Sequence, residues 1–301
     1  MKRRTWGRAG LAGLGALALF SAWVYGSTEA RLRARYDVKI APLSRRTTGD
    51  AISRGEHVAH ALAKCTTCHG EDLGGRVIAE SPLLGLLSAP NLSPASGVAR
   101  SDEQLLRALL HGLKADGRPL VLMPSHEIAQ LSDADLSAVI AYLRSVPPVA
   151  RAVPPLRVGP LYRLLLAFQR VELPAERIDH SRARAAPEVD PASAQYGEYL
   201  SKTGGCYGCH GSTLAGGPIP GLPPGTPPAA DIRPQALAAW SYDDFEHALR
   251  HGVRPDGRQL AEIMPWRAMS KLTDAEVKAL YVYLKAEKSQ KISRIEGNGA
   301  G

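Results

Sequence analysis

Two pentapeptides of one pattern, Cys65-Thr66-Thr67-Cys68-His69 and Cys206-Tyr207-Gly208-Cys209-His210, use all 4 cysteines of the 301-residue chain. Two thiols three positions apart, with a histidine directly after the second, are the signature of covalent attachment of a c-type haem. The thiols meet the two vinyl groups while the histidine turns onto the iron. A redox dithiol has no need of the neighbouring histidine, and a zinc site made of cysteine pairs 141 positions apart would leave both histidines unexplained. Two covalently bound haem c groups are therefore expected. Cys65, Cys68, Cys206 and Cys209 are the attachment residues, and His69 and His210 are iron ligands. With 3 Phe, 23 Pro and 29 Gly, a core of side chains alone looks thin. Small domains of that kind often depend on a metal or covalent staple.

The second axial ligands follow from an internal repeat. Cys65 to Met123 is 58 residues, and Cys206 to Met264 is also 58; both methionines precede proline. Met123 has no competitor between residues 47 and 150. Met269 competes in the second half, and the equal spacing selects Met264. The bland alternative is that these methionines fill gaps in a core. His/Met ligation, His69 with Met123 and His210 with Met264, fills both axial positions, raises the reduction potential and favours electron transfer over substrate activation.

The repeat extends further. Ala108-Leu109-Leu110-His111-Gly112 and Asp116-Gly117-Arg118 match Ala248-Leu249-Arg250-His251-Gly252 and Asp256-Gly257-Arg258. Helices are expected to begin near Gly55-Glu56 and Gly197-Glu198 before each haem motif, then over Ser101 to Leu110 and Ser241 to Leu249, with Gly112 and Gly252 as C-caps. Ser132 and Thr273, each followed three residues later by an acid, are read as N-caps of a closing helix. His111 and His251 are read as capping or propionate-contacting rather than iron-binding; Arg118 and Arg258 are either propionate partners or solvated. His57, His60, His126, His180 and His247 have no repeated partner and are assigned to surface or structure.

The formal charge of +8 resides at one end: residues 1–46 hold ten Lys/Arg against two Asp/Glu, and the remainder carries 27 of each sign. A nucleic-acid-binding reading loses its support. Lys2, Arg3, Arg4 and Arg8 precede an uncharged run, Ala9 to Tyr25, that ends in Trp23-Val24-Tyr25. This pattern fits an uncleaved membrane anchor, the preferred reading, or a cleaved signal peptide. Either exports the remainder to the periplasmic side of a bacterial cytoplasmic membrane, where c-type haem is attached.

The expected organisation is 1–30 anchor or signal, 31–50 tether, 51–148 first haem domain, 149–190 Pro-rich connector, 191–290 second haem domain and 291–301 a frayed tail. The connector carries Leu161, Leu164, Leu165 and Phe168 at helical spacing, with Arg157, Arg163 and Arg170 on the other side. This amphipathic helix is expected to pack between the two haem domains, with membrane surface or a partner subunit as the alternatives.

Ala89-Pro90-Asn91-Leu92, His111-Gly112, Asp116-Gly117-Arg118, Met123-Pro124 and the stretch from Leu131 to Pro148 resemble a domain of class I bacterial cytochromes c, and the second half shows the same set. The chain is similar over about residues 50 to 290 to the cytochrome c subunits of membrane-bound alcohol and gluconate dehydrogenases. Those subunits carry three haem motifs where this chain has two. The resemblance implies an all-α fold of two tandem class I cytochrome c domains behind an N-terminal transmembrane or signal helix. It also implies periplasmic electron transfer, with redox neighbours such as a dehydrogenase subunit, a terminal oxidase or another cytochrome. The expected function is a non-enzymatic relay of single electrons between a dehydrogenase or quinol-linked donor and a respiratory acceptor. A peroxidase-like diheme enzyme with one accessible haem, and a haem sensor or assembly subunit, are the competing readings.

Overall fold

Capping chemistry and two close-packing glycines set the frame of each half. The computed structural model describes residues 2–43, 48–97, 101–181, 189–191, 193–222 and 225–286; the expected frayed tail, 291–301, lies outside them. In the first half α2 (Gly49–His57) starts at the Thr48 N-cap, earlier than the expected Gly55, and runs into a π-helical turn, Val58–Leu62. The short α3 (Cys65–His69) carries the haem motif. After it come α4 (Asp102–His111), α5 (Ser125–Ile128) and the closing α6 (Asp133–Ser145).

Ser101 closes a capping box with Gln104 at the start of α4, and Gly112, at φ 63°, ends that helix in the left-handed region that suits glycine. Ser132 accepts from the Asp135 amide to start α6. Helices α2 and α6 cross at Gly55, where a Cβ would stand 1.9 Å from the Ala138 carbonyl oxygen. Only glycine lets the two backbones come that close.

The second half repeats this with α8 (Ala194–Thr203), α9 (Cys206–His210), α10 (Tyr242–His251), α11 (Trp266–Met269) and α12 (Asp274–Lys285). Gly197 takes the place of Gly55: a Cβ there would stand 2.1 Å from the Ala279 carbonyl oxygen of α12. Thr273 and Glu276 close the capping box of α12. Leu136, Val139, Ile140 and Leu143 of α6 and Val277, Leu280, Tyr283 and Leu284 of α12 belong to one apolar core that runs through both halves.

The all-α expectation needs one correction. A three-stranded antiparallel sheet joins β1 (Arg76–Ser81), β2 (Gly85–Ala89) and β3 (Arg157–Val158), in that order. Val77 and Ile78 are β-branched and suit a strand, and β3 comes from the connector, which pairs Gly85 with Val158 and Leu86 with Arg157. In the second half Pro218, Pro220, Pro227 and Pro228 remove ladder donors from the matching stretch. Among the described residues only a bridge, Gly217 to Ala229, remains there.

Helix α1 (Lys2–Arg33) is the one described helix long and apolar enough to cross a bilayer, over Leu11–Arg33. Its residues 11–23 are exposed, whereas Val24 and Thr28 are buried. There α1 meets α7 (Pro160–Ala167), the connector's amphipathic helix. Arg163 lies over the Tyr25 ring at 4.7 Å and donates to Thr28 Oγ1 at 2.9 Å and Glu29 Oε2 at 2.8 Å. Arg31 donates to Glu176 Oε1 at 2.7 Å. The main neighbour of α7 is thus α1, not the face between the haem domains where the connector helix was expected. Residues 36–40 continue as an extended strip on the first half, with Val38 buried against Leu113 and Ala175 and the Tyr36 amide bonded to Gly117 O at 3.0 Å.

The two halves clasp each other reciprocally. Asp135, in the first turn of α6, accepts from Tyr199 of the second half at 2.6 Å; Glu276, in the first turn of α12, accepts from His57 Nε2–H of the first half at 2.7 Å. Arg54 bridges them, donating to Asp135 at 2.7 and 3.0 Å and to Glu276 Oε1 at 3.2 Å. His57, assigned to surface or structure, is part of this seam.

Candidate haem sites

Each haem motif occupies one helical turn entered through a left-handed residue, Lys64 at φ 53° before Cys65 and Gly205 at φ 70° before Cys206. The turn puts both cysteines and the histidine of each motif on one short element. After it the chain reverses at Gly70 and Gly211, and the next residues return to the histidine. Gly75 N–H donates to His69 O at 2.8 Å, and Gly216 N–H to His210 O at 2.9 Å. Leu73 and Leu214, both at positive φ, accept through their carbonyls from Leu92 and Ile232 at 2.8 and 3.0 Å.

That return fixes the imidazoles. His69 Nδ1–H donates to Pro90 O at 2.8 Å, and His210 Nδ1–H donates to Ala230 O at 2.7 Å. A carbonyl only accepts, so the proton of a neutral ring sits on Nδ1 and the Nε2 lone pair is left for a metal. A carbonyl behind the ring also orients it, as in other histidine–metal sites. Burial pushes both imidazoles below their ordinary pKa, partly offset by the carbonyl bonds, which favours the neutral, coordinating form.

The thiols move the other way. Burial raises Cys65 and Cys206 to about 11 and also raises Cys68 and Cys209. A redox dithiol works through a thiolate of lowered pKa, so this environment does not suit that chemistry. Two thiols and a neutral imidazole with a free Nε2, carried on one short element, fit a covalently held haem in each half.

Met123 and Met264 are both half-buried against the core and reached by matching turns. Leu120 N–H and Leu260 N–H each donate back to the C-cap glycine carbonyl at 2.7 Å, closing small hairpins bridged at Leu113–Pro119 and Val253–Gln259. Beyond each Met-Pro, a one-turn helix begins, with Ser125 N–H on Met123 O and Trp266 N–H on Met264 O. Met269 lies in the core at 5% exposure, at the place held in the first half by Ile128 at 4%. It fills a packing position.

His111 Nδ1 lies 3.0 Å from His180 Nδ1, and Arg118 and Arg258 pair with Asp116 and Asp256, both at 2.6 Å. Two residues at the motifs escaped sequence reading. Lys64 Nζ donates to Gly204 O, so the start of one haem motif is tied to the start of the other. The Glu127 carboxylate covers the second motif: a Cβ on Gly205 or Gly208 would stand 2.3 or 2.4 Å from its oxygens. Burial raises the Glu127 pKa against the opposing charges of Lys64 and Arg177. Nothing local in sequence marks either contact, since the partners are 78 to 140 positions away.

A family model described as Cytochrome c matches residues 52–147 and again 194–288. The chain is 37% identical over 108 residues to the gluconate 2-dehydrogenase cytochrome c subunit of Pantoea cypripedii, covering 34% of this chain and 24% of that protein. It is 38% identical over 121 residues to the fructose dehydrogenase cytochrome subunit of Gluconobacter japonicus, covering 36% and 25%. A diheme cytochrome c-type protein of Cereibacter sphaeroides is 30% identical over 270 residues, covering 79% of this chain and 86% of that one. The match thus spans about a quarter of each dehydrogenase subunit but most of the diheme protein.

Proposed function

This chain belongs to the cytochrome c family and carries two covalently bound haem c groups, and from that premise we propose that it is a membrane-anchored periplasmic relay for single electrons. Cys65 and Cys68 would hold one group and Cys206 and Cys209 the other, with His69 and Met123, and His210 and Met264, as the residues that would ligate the irons. The observation that carries this reading is the duplication of the whole site. In both halves a buried imidazole is locked by a backbone carbonyl, and a Met-Pro turn follows at the same spacing of 58. A histidine and a methionine available to each iron would suit electron transfer over substrate activation.

When bound, each haem supplies a one-electron couple on its iron. The chain's own residues set the conditions for that couple. The Nδ1–H bonds to Pro90 and Ala230 hold His69 and His210 in one tautomer and one orientation. The donor in this reading is a dehydrogenase, supported by the names of the partly matching subunits, or a quinol-linked protein, and the acceptor is respiratory. An uncleaved α1 is supported by the burial of Val24 and by the Arg163 guanidinium over the Tyr25 ring, because cleavage after the apolar run would remove both from the packing.

Absorption spectra of the membrane-extracted protein, oxidised and reduced, with and without carbon monoxide, test the site. Two low-spin haems with a methionine–iron charge-transfer band and little carbon monoxide binding are expected. Rapid binding at one haem at neutral pH would overturn the relay in favour of the diheme-enzyme reading. Co-purification in mild detergent identifies the redox neighbours.

A further inference from the structure

Three aromatic rings gather where α1 leaves the body. Phe168, the residue that ends α7, lies 5.6 Å from Trp23 and 6.3 Å from Phe20, and the α1 pair are 6.0 Å apart. Despite this contact all three remain open, with Phe168 51%, Trp23 49% and Phe20 43% exposed. Isolated exposed apolar residues are ordinary, but a contiguous aromatic cluster is not.

What covers the cluster follows from its continuity with α1. Phe20 and Trp23 belong to the apolar run that reads as a membrane span, near the end that faces the haem domains. Along a helix, three residues rise only about 4.5 Å, so Phe20 lies no more than a turn deeper than Trp23. Phe168 touches both. Any bilayer that takes up Phe20 and places Trp23 in the interfacial region, where tryptophan is favoured, must take up the Phe168 ring at the same depth. The polar contacts of α7 sit further along α1, with Arg163 engaged at Tyr25, Thr28 and Glu29. Exposed Arg170, just past Phe168, is long enough to reach headgroup phosphates from the edge of the patch.

We infer that the C-terminal end of α7, with Phe168 at its tip, is inserted into the lipid interface beside α1, giving the connector between the haem domains its own contact with the bilayer. The proposal rests on α1 being an uncleaved anchor. Its physical consequence is a fixed tilt: a single helix lets a domain swivel, and a second lipid contact on the rigid α1–α7 unit removes that freedom.

The test is photocrosslinking of the full-length haem-loaded protein in its native membranes, with p-benzoylphenylalanine in place of Phe168 and, as control, in place of Val282. Val282 is 45% exposed on α12, without this continuity to α1. Haem absorbance confirms folding of both variants. A phospholipid adduct at position 168, at least tenfold above that at 282, is the expected result. A membrane-bound protein that gives no lipid adduct at 168, or a protein adduct instead, would overturn the inference and leave the anchor intact. Recovery of the protein in the soluble fraction with an N-terminus beyond Trp23 would overturn both.

Discussion

Met264 and Met269 stand five positions apart in one half, yet their surroundings separate them: one is half-buried in the Met-Pro turn, the other fills the core position that Ile128 holds in the first half. Met264→Ala is expected to lower the potential of one haem by on the order of 0.1 V, a fraction of the roughly 0.8 V range that axial ligands set. Met269→Leu conserves volume, is expected to cost less than about 1.5 kcal/mol and leaves both potentials in place. Spectroelectrochemical titration of the two variants checks the pair; equal shifts, or none with Met264→Ala, would reject the ligand assignment. The proposed attachment and ligand residues stand out in the sequence because local chemistry calls for each residue type and the spacing occurs twice. Lys64, Glu127 and His57 do not. Lys64 and Glu127 work through backbone at the other motif, and His57 through a carboxylate 219 residues away, so their roles arise only when the halves dock.

At the scale of elements, helix starts and stops carried the strongest local signals. Ser101, Gly112, Ser132, Gly252 and Thr273 cap where their side chains and permitted φ values say they should. Thr273→Ala is expected to lose about 1 kcal/mol, the usual cost of an N-cap, seen as a lower midpoint in thermal unfolding. Gly55 is a different case, since its φ is ordinary for a helix and only the crossing with α6 requires it. Gly55→Ala places a methyl group 1.9 Å from Ala138 O and forces α2 away from α6, for a loss of about 1–3 kcal/mol or more. Gly197→Ala should do the same to α8 and α12, and calorimetry of both variants against an exposed-helix control tests the symmetry. The small sheet was missed for a related reason. Strand β3 is two residues long and pairs with a strand some 70 positions earlier, so its periodicity is too short to read, and only the fold creates its partner.

For the whole molecule, the decisive feature is that the halves share one polar seam, so the two haem sites are held in one relation instead of swinging on a linker. Glu276 is its most sensitive member. Burial opposes its ionisation, but bonds from His57 and the Thr273 amide and the charges of His57 and Arg54 outweigh that and hold the carboxyl at about 2, from an ordinary 4.5. A carboxyl depressed in the folded state stabilises the fold fully above its unfolded pKa and loses that contribution as pH falls toward the folded value. The window is therefore pH 4.5 down to about 2. A shift of that size corresponds to an upper bound of about 3 kcal/mol, at 1.36 kcal/mol per unit. Glu276→Gln removes the titration but keeps most of the shape. It is expected to be less stable near neutral pH, with a thermal midpoint that declines less steeply than the unmodified protein's between pH 4.5 and pH 2. Because Glu276 is bonded to Arg54 and His57 of the other half, the loss should also appear as separation of the halves. Small-angle scattering near pH 3 should then find the unmodified protein expanding while each haem keeps its low-spin spectrum. If acid instead displaces an axial ligand before the molecule expands, the seam is not the weak point, and the haem pockets open first.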